Sequence, residues 1–559
     1  MILRALRDLA IGENLLTNPD YEPKTVAWII HIDDAGKFAG LVRTVEGKKL
    51  NIPRRAGRTS AASADFLVDK SEYALGICRQ EKLTKPRKPK QLTERLSLFR
   101  DGVRLAHRST GAAALGAVAD FLGRDEERGR CAADAEAGGY QNNDLFAFSY
   151  QGELVHDLPE VKAYFSASRH DESRGGVQCL VCGRERPPVD KHPGIKLPGG
   201  TTSGVALVSF NSNAFESYGL SRNENAPVCR ECADAYTTAL NRCTERNYVN
   251  PEGEILARRS VWIPDTTVAV YWADQAAGFL DLFSSLFDQP EPEAVRALLE
   301  APQAGRLPSG LDARLYCLLL SGAQGRAIVR GLHTGTVFEV EANVRRYFES
   351  IEIGHDRPFS LRDLLRAACL LGKTENLPPS VAGDFFLAIL FGRPYPGTML
   401  TAAVSRCRAE RKVPPARAAL LRACLIRNFN QEVTVGLDKE NSQPAYRLGR
   451  LLAVLERLQG DAQRGLNRTI VDRYYGAAST RPATVFPALI RLAQHHLAKT
   501  NSPGFHQTNL GEVMDGIREF PSTLSLNEQG LFAIGYYHQR QQFWKPKDKA
   551  AQTESGESE

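Results

Sequence analysis

The chain has 559 residues, of which 43% are hydrophobic and 24% are charged, and it contains 46 Gly and 30 Pro. This composition is typical of a globular protein and excludes a collagen, a disordered chain and a small disulfide scaffold. At roughly 150 residues per domain, the length predicts three or four domains.

The elements predicted for the first 360 residues are a mixture of helices and strands. Apolar residues at helical spacing predict a short helix over residues 1–10. Two β-prone runs flank DDAGK, whose Asp and Gly residues favour a hairpin. The hairpin strands span residues 25–32 and 38–45; a long loop and a short strand follow over 48–77, a helix over 109–123, a strand pair over 145–155 and a buried strand over 266–273.

After about residue 360 the predicted elements are all helical. Amphipathic patterns rich in Ala, Leu and Arg alternate with short connections that contain Gly, Pro or Asn. These patterns cover residues 360–372, 384–392, 416–429, 445–459 and 484–499. Such a succession of helices predicts a bundle.

The sequence therefore predicts an α+β fold, with a mixed N-terminal and central body and an all-helical C-terminal bundle. We place its parts at residues 1–110, 111–360 and 361–545. The last segment, 546–559, has the polar composition of a disordered tail.

The net charge of +6 conceals a strong segregation of charge along the chain. Residues 1–108 include 21 basic and 13 acidic residues, and residues 401–500 include 17 basic and 7 acidic ones. These two regions have net charges of +8 and +10, so the other 351 residues carry −12. Segregated charge is informative about partners rather than about the fold.

The sequence also predicts the compartment. Arg4, Arg7 and Asp8 interrupt the apolar N-terminus, which excludes a signal peptide, and no stretch has the roughly 20 apolar residues that cross a bilayer. Eleven cysteines without a secretory signal are expected to be reduced thiols. We expect a soluble cytoplasmic protein with no membrane partner.

The strongest local motif is a pair of Cys-x-x-Cys sequences. CLVC and CREC can supply four thiolates to a tetrahedral structural zinc, although 46 residues separate them, more than in an ordinary zinc ribbon. The alternative is four ordinary buried thiols. The predicted ligands are Cys179, Cys182, Cys229 and Cys232.

Motifs that would indicate an enzyme are absent or incomplete. LLGKT resembles the end of a phosphate-binding loop, but Ala367 stands where the first glycine should be and no strand precedes it. PDYEPK and RLAQHH resemble nuclease motifs, yet a turn and a solvated helix face explain them. The sequence therefore gives no positive indication of an enzyme.

Two basic runs near the N-terminus predict nucleic-acid binding. KKLNIPRRAGR contains five cations and no acidic residue, and a second run follows around residues 80–100. Lys and Arg neutralise phosphates and release counterions, while flexible loops can reach base edges. The alternative for either run is a solvated charged loop. The cations of the first run are Lys48, Lys49, Arg54, Arg55 and Arg58.

Longer strings resemble a known family. The segment GTTSGVALVSFNSNAFESYGLSRNENAPVCRECADAYTTALN, at residues 200–241, resembles the signature of the large subunit of subtype I-C CRISPR Cascade, a Csd-type family. Further similar blocks lie at residues 52–76, 388–400, 445–459 and 467–497, so the resemblance spans nearly the whole chain.

The resemblance implies a non-catalytic subunit of an RNA-guided DNA surveillance complex. Such subunits help to recognise the protospacer-adjacent motif (PAM), open the duplex, hold the displaced strand of the R-loop and recruit a helicase-nuclease. The implied partners are target double-stranded DNA and a guide-RNA ribonucleoprotein with backbone, handle-binding and small subunits. It also implies that residues 1–110 carry a DNA-contacting loop and that residues 361–545 resemble the small subunit of other Cascades.

The implied DNA-contacting residues extend the basic run. Thr59 and Ser60 belong to the same loop as the arginines, and Lys70 and Tyr73 lie in VDKSEY, where many relatives carry Asn in place of Lys70. Asn211 and Asn213 either contact DNA or form a tight turn.

The zinc would stabilise a knuckle-like insertion. The alternatives are a free-standing zinc-containing nuclease and a protein–protein scaffold.

Overall fold

The chain is represented by a computed structural model with side chains. It describes residues 2–16, 20–45, 49–54, 63–80, 87–169, 176–202, 204–210, 212–245, 248–249, 254–263, 267–275, 278–302, 312–323, 325–463, 465 and 467–544.

The described residues form helices α1 to α19 and strands β1 to β15. The strands are β1 (Tyr21–Thr25), β2 (Trp28–Ile32), β3 (Phe38–Arg43), β4 (Lys49–Pro53), β5 (Asp69–Lys70), β6 (Leu145–Tyr150), β7 (Glu153–Leu154), β8 (Val177–Gln178), β9 (Glu185–Arg186), β10 (Tyr248–Val249), β11 (Ile255–Leu256), β12 (Ser260–Ile263), β13 (Thr267–Ala273), β14 (Arg314–Ala323) and β15 (Arg326–Thr336). The first ten helices are α1 (Ile2–Gly12), α2 (Ser71–Ala74), α3 (Pro89–Thr110), α4 (Ala113–Gly123), α5 (Asp125–Ala137), α6 (Pro159–Arg169), α7 (Arg230–Thr244), α8 (Phe279–Asp288), α9 (Pro292–Glu300) and α10 (Val337–Ile351). The others are α11 (Leu361–Ala368), α12 (Pro379–Phe391), α13 (Gly397–Glu410), α14 (Pro415–Phe429), α15 (Pro444–Ala462), α16 (Ile470–Ala478), α17 (Pro482–Leu497), α18 (Pro503–Asp515) and α19 (Leu526–Trp544).

The N-terminal sheet has the strand order β3-β2-β6-β5, with β7 paired to β6. The predicted hairpin is confirmed, because β2 and β3 pair antiparallel across a turn in which Asp33 accepts the N–H groups of Ala35 and Lys37. Strand β6 pairs parallel with β2. Helices α3 and α4 cover this sheet, and the sheet and helices share one hydrophobic core.

A second sheet, β12-β13-β14-β15, is antiparallel throughout and lies between two cores. Because side chains alternate along a strand, Ala269 and Tyr271 of β13 pack on the helices after it, while Val270 and Trp272 face α1, α7 and the cysteines. Every residue of β13 is buried, as the sequence predicts for this strand.

From α11 onward the regular elements among the described residues are all helices, as predicted. Its core is continuous with that of the second sheet, since one hydrophobic cluster extends from Val261 to Tyr537. The molecule is thus an α+β protein with a cysteine cluster in its central part and a helical C-terminal region. None of the helices in the described part of the chain is long and apolar enough to cross a membrane.

Candidate metal centre and nucleic-acid interface

Four cysteines from two distant segments meet at one point. Their sulfur atoms all lie within 4.8 Å of one another, and the Sγ atoms of Cys182 and Cys229 are 3.8 Å apart. Four sulfurs bound at about 2.3 Å to one tetrahedral zinc are about 3.8 Å apart. The cluster of Cys179, Cys182, Cys229 and Cys232 therefore has the dimensions of a four-thiolate site.

Local backbone structure brings these sulfurs together. The first pair lies in a tight turn, in which the N–H of Gly183, at φ +75°, donates to the carbonyl of Cys179. The second pair lies at the start of α7, where Cys229 is the N-cap residue. Its backbone N–H donates to the Sγ of Cys179 at 3.3 Å, and the N–H of Val181 donates to the same sulfur at 3.4 Å.

The surroundings favour negative charge on Cys229, whereas burial raises the pKa of Cys182 and the hydrogen bond with Cys229 raises that of Cys232. The hydrogen bond from Cys232 is the largest cause that lowers the pKa of the Cys229 thiol, to about 5. The hydrogen bond to Glu231 raises the pKa of Arg186, and the charges of Cys229 and Cys182 raise it further. The positive end of α7 also points toward the site.

The donor set fits zinc and leaves no position for a substrate. Four thiolates complete a tetrahedral shell, which is the arrangement of structural zinc sites. Three of the cysteines are buried and belong to the core that joins α1, α7 and one face of the second sheet. Such a site can hold these elements together but cannot activate water.

The structure places only some of the predicted DNA-contacting residues. Lys48, Arg55, Arg58, Thr59, Ser60 and Asn211 lie outside the described residues. Lys49 and Arg54 lie at the two ends of the β4 segment, where they pair with Glu245 at 2.9 Å and Asp234 at 3.5 Å. Their charges therefore face acidic residues of the same chain, and DNA contact by either remains a prediction.

The VDKSEY motif is built into the N-terminal core. The Nζ of Lys70 donates to the Oδ1 of Asn143 at 2.7 Å near the surface. Tyr73 is only 3% exposed, and the guanidinium of Arg95 lies 5.5 Å from the centre of its ring. Arg95 is held in turn by an ion pair with the buried carboxylate of Glu72.

Asn213 lies far from this motif in the sequence and begins a short exposed 3₁₀ turn over Asn213–Phe215. The hydroxyl of Ser212 accepts the N–H of Ala214 and so caps this turn. The local structure fits the tight-turn alternative, and contact with DNA by Asn213 stays a prediction.

The cations of the C-terminal region divide into two groups that the sequence count does not distinguish. Three arginines are buried structural residues: Arg450 pairs with Glu512, Arg417 with Glu410, and Arg422 donates to backbone carbonyl groups. Another five are exposed in residues 467–500, which we name the cationic segment. They are Arg468, Arg473, Arg481, Arg491 and Lys499.

No ion pair within the described part of the chain involves these five side chains. The one acidic residue of the cationic segment, Asp472, caps α16 by accepting the N–H of Thr469. Hydrogen bonds from Thr469 lower the pKa of Asp472, and the charges of Arg411 and Lys412 lower it further, so two more exposed cations lie near α16. Sequence reasoning missed this group because burial, not composition, separates it from the structural arginines.

The described chain thus combines an α+β body, a four-cysteine cluster with the dimensions of a metal site and a group of exposed cations near the C-terminus. The model of a CRISPR-associated protein family, Cas_Csd1, matches residues 5–544, nearly the whole chain. The chain belongs to the Cas_Csd1 family of CRISPR-associated proteins. A comparison with curated proteins gives no match.

Proposed function

We propose that the chain is the non-catalytic large subunit of a subtype I-C RNA-guided surveillance complex. In this role it recognises the PAM, helps to open the duplex, stabilises the displaced strand and recruits the helicase-nuclease. In guided systems base pairing reads the target sequence, so the protein contributes contacts to the flanking motif and to the backbone. Family membership supports the CRISPR context of this proposal.

The observation that carries the DNA-contacting role is the cationic segment. Its five exposed cations have no ion-pair partner among the described residues, whereas Lys49, Arg54 and Arg79 face carboxylates of the chain itself. A surface of unpaired cations attracts phosphates and releases counterions on binding. We assign to the segment the displaced DNA strand, which has no base-pairing partner in the complex.

We also propose that the four-cysteine cluster binds a structural zinc. The metal would fasten the turn that follows β8 to the first turn of α7, and its chemistry when bound is that of a closed four-thiolate shell. The protein would then contribute affinity and shape to the complex, and cleavage would belong to the recruited nuclease. The eleven cysteines support a cytoplasmic location, because thiols stay reduced there.

Charge removal within the assembled complex tests the DNA-contacting role. The test variant combines Arg473→Ala, Arg481→Ala and Arg491→Ala. The matched control combines Lys24→Ala, Arg130→Ala and Lys373→Ala, which removes the same charge from cations that pair with acidic neighbours. Binding is measured on a target whose displaced strand is already unpaired, over a range of salt concentrations.

If the cationic segment holds the displaced strand, the test variant binds more weakly and its salt dependence is shallower. For three lost phosphate contacts on a single strand, the log–log slope falls by about 2. Equal slopes for the test variant and the control would overturn the assignment. Strand cleavage by the purified chain with Mg²⁺ or Mn²⁺ alone would overturn the non-catalytic role and favour a nuclease.

A further inference from the structure

A two-residue turn carries a fully exposed tyrosine at its tip. Ser217 and Leu220 pair as an antiparallel bridge and leave Tyr218 and Gly219 as the central residues of the turn. Their φ angles are 53° and 76°, so both are left-handed, as in a type I′ turn. The side chain of Tyr218 is 100% exposed.

Tyrosine is an unfavourable residue at this position. Type I′ turns favour Asn, Asp or Gly, because a bulky side chain at positive φ meets its own backbone. Within the described residues, no hydrogen bond or ring contact to the side chain of Tyr218 offsets this strain. A strained residue that contributes no packing points to a role outside the fold.

The neighbouring side chains supply aromatic surface and positive charge. Phe215 is 38% exposed, and the guanidinium of Arg326 lies 5.2 Å from the centre of its ring. Arg222 is exposed four residues after Tyr218 and forms no ion pair with any described residue. Glu224, close by, is occupied as a cap, since its carboxylate accepts the N–H and the hydroxyl of Ser221. We name residues 212–222 the aromatic arm.

We infer that Tyr218 stacks on an unpaired nucleobase of the DNA that the complex opens, an inference that rests on the proposed function. A ring at the tip of a narrow turn is accessible from both faces, and every base presents a π-face to such a ring. The cation of Arg222 is placed along the same arm for a phosphate of the same strand.

A protein partner is the less favoured occupant of this tip. Aromatic hot spots of protein interfaces lie among well-packed side chains that exclude water. The residues flanking Tyr218 in the chain are Ser217, Gly219 and the exposed carboxylate of Glu216. Phe215 and Leu220 are partly exposed nearby, but the immediate chain neighbours of the ring are polar or small, which matches stacking on one base better than burial in a protein interface.

The test replaces the ring without disturbing the turn. Tyr218→Asn and Tyr218→Gly introduce residues that the turn prefers, so both are expected to fold at least as well as the unaltered chain. Tyr218→Phe retains the ring and is the matched control. Each variant is assembled into the complex and bound to target DNA that contains 2-aminopurine at successive positions of the flanking motif and the displaced strand.

We expect quenching of 2-aminopurine at one position or at two adjacent positions in the unaltered complex and in Tyr218→Phe. Quenching at that place is lost in Tyr218→Asn and Tyr218→Gly, together with about a 5- to 150-fold loss of affinity for pre-opened DNA, the effect of losing one stacked base. Identical quenching patterns and affinities in all four proteins would overturn the inference.

Two controls separate this inference from the proposed function. If the unaltered complex binds no DNA, the proposed function fails, whereas unchanged salt-dependent binding by Tyr218→Asn overturns the stacking role alone. If Tyr218→Asn instead co-purifies with less of the other subunits and keeps the quenching pattern, the ring contacts protein, and the inference is again overturned.

Discussion

The guanidinium of Arg54 lies 3.5 Å from the buried carboxylate of Asp234, which joins the end of β4 to helix α7. The Nζ of Lys49 at the start of β4 lies 2.9 Å from Glu245, the C-cap residue of α7. The two ion pairs fasten an N-terminal strand to the helix that begins at the cysteine cluster. Part of the N-terminal positive charge therefore serves the fold of the chain itself.

We expect Arg54→Ala to lower the free energy of unfolding by roughly 3 kcal/mol, because it removes the guanidinium from an ion pair with the buried carboxylate of Asp234. Urea denaturation of the purified chain measures this effect. The control Lys49→Ala removes a more exposed pair and should cost less than about 1 kcal/mol. Full stability of Arg54→Ala combined with weaker DNA binding by the complex would show instead that Arg54 contacts DNA.

Elements in which apolar residues recur at a regular spacing were predictable from the sequence. The hairpin β2–β3, the buried strand β13 and five helices after residue 360 (α11, α12, α14, α15 and α17) follow from apolar spacing and from the turn residues between them. Helices α13, α16, α18 and α19 were not among the predicted elements. Strand β4 falls in a segment predicted as a loop, because Pro53 and the neighbouring charges hide its pairing with β1. Helix α3 escaped prediction because its first residue, Pro89, follows a proline-rich basic run, although proline is favoured at the first helical position.

Strands β14 and β15 also escaped prediction. Strand β15 contains two glycines, Gly331 and Gly335, and the pair has a register shift between Leu319 and Leu320. Glycine and a bulge both obscure the alternation by which a strand is recognised.

The candidate sites differ in how far the sequence could predict them. The spacing within each Cys-x-x-Cys pair predicts two ligands per pair, and the fold brings the pairs together across 46 intervening residues. Net charge could not separate exposed cations such as Arg473 from buried ones such as Arg450. That distinction depends on helix packing, whereas the exposure of Tyr218 depends on the turn between Ser217 and Leu220.

Two glycines allow helices α15 and α19 to pack backbone against backbone. A Cβ at Gly449 would lie 2.0 Å from the carbonyl oxygen of Phe532, and one at Gly535 would lie 2.1 Å from that of Tyr446. We expect Gly449→Ala to lower the free energy of unfolding by about 3 kcal/mol, because a rigid backbone group must move. Gly460→Ala, on the same helix and with open space around it, should be stabilising by up to about 1 kcal/mol. Equal effects of the two substitutions in a urea titration would contradict this packing.

We expect the chain, purified without chelators, to contain about one equivalent of zinc by elemental analysis. Cys229→Ser should reduce the content severalfold, because it removes one of four thiolates, and should lower the midpoint of thermal unfolding. Cys78→Ser, at a half-buried cysteine outside the cluster, is the control that keeps its metal. Less than about half an equivalent in the unaltered chain would contradict a four-thiolate zinc site.

Stability should also depend on pH through His156, whose side chain is completely buried. Burial is the largest cause that lowers the pKa of His156 to about 4. The charge of Lys162 lowers this pKa further, and the charge of Asp157 opposes the shift. The folded chain holds the ring neutral while the unfolded chain titrates near 6.5, so the contribution is complete above about pH 6.5 and is lost as the pH falls toward 4. Between pH 7.5 and 5 the loss amounts to about 2 kcal/mol.

His156→Phe removes this titration and should flatten the pH dependence by that amount in urea titrations at the two pH values. His495→Gln, which changes an exposed histidine of α17, is the control and should leave the dependence as it is. Because the comparison is between pH values for each protein, an overall gain or loss of stability from the new ring cancels. A pH dependence that is the same with and without His156 would contradict a neutral buried imidazole at this position.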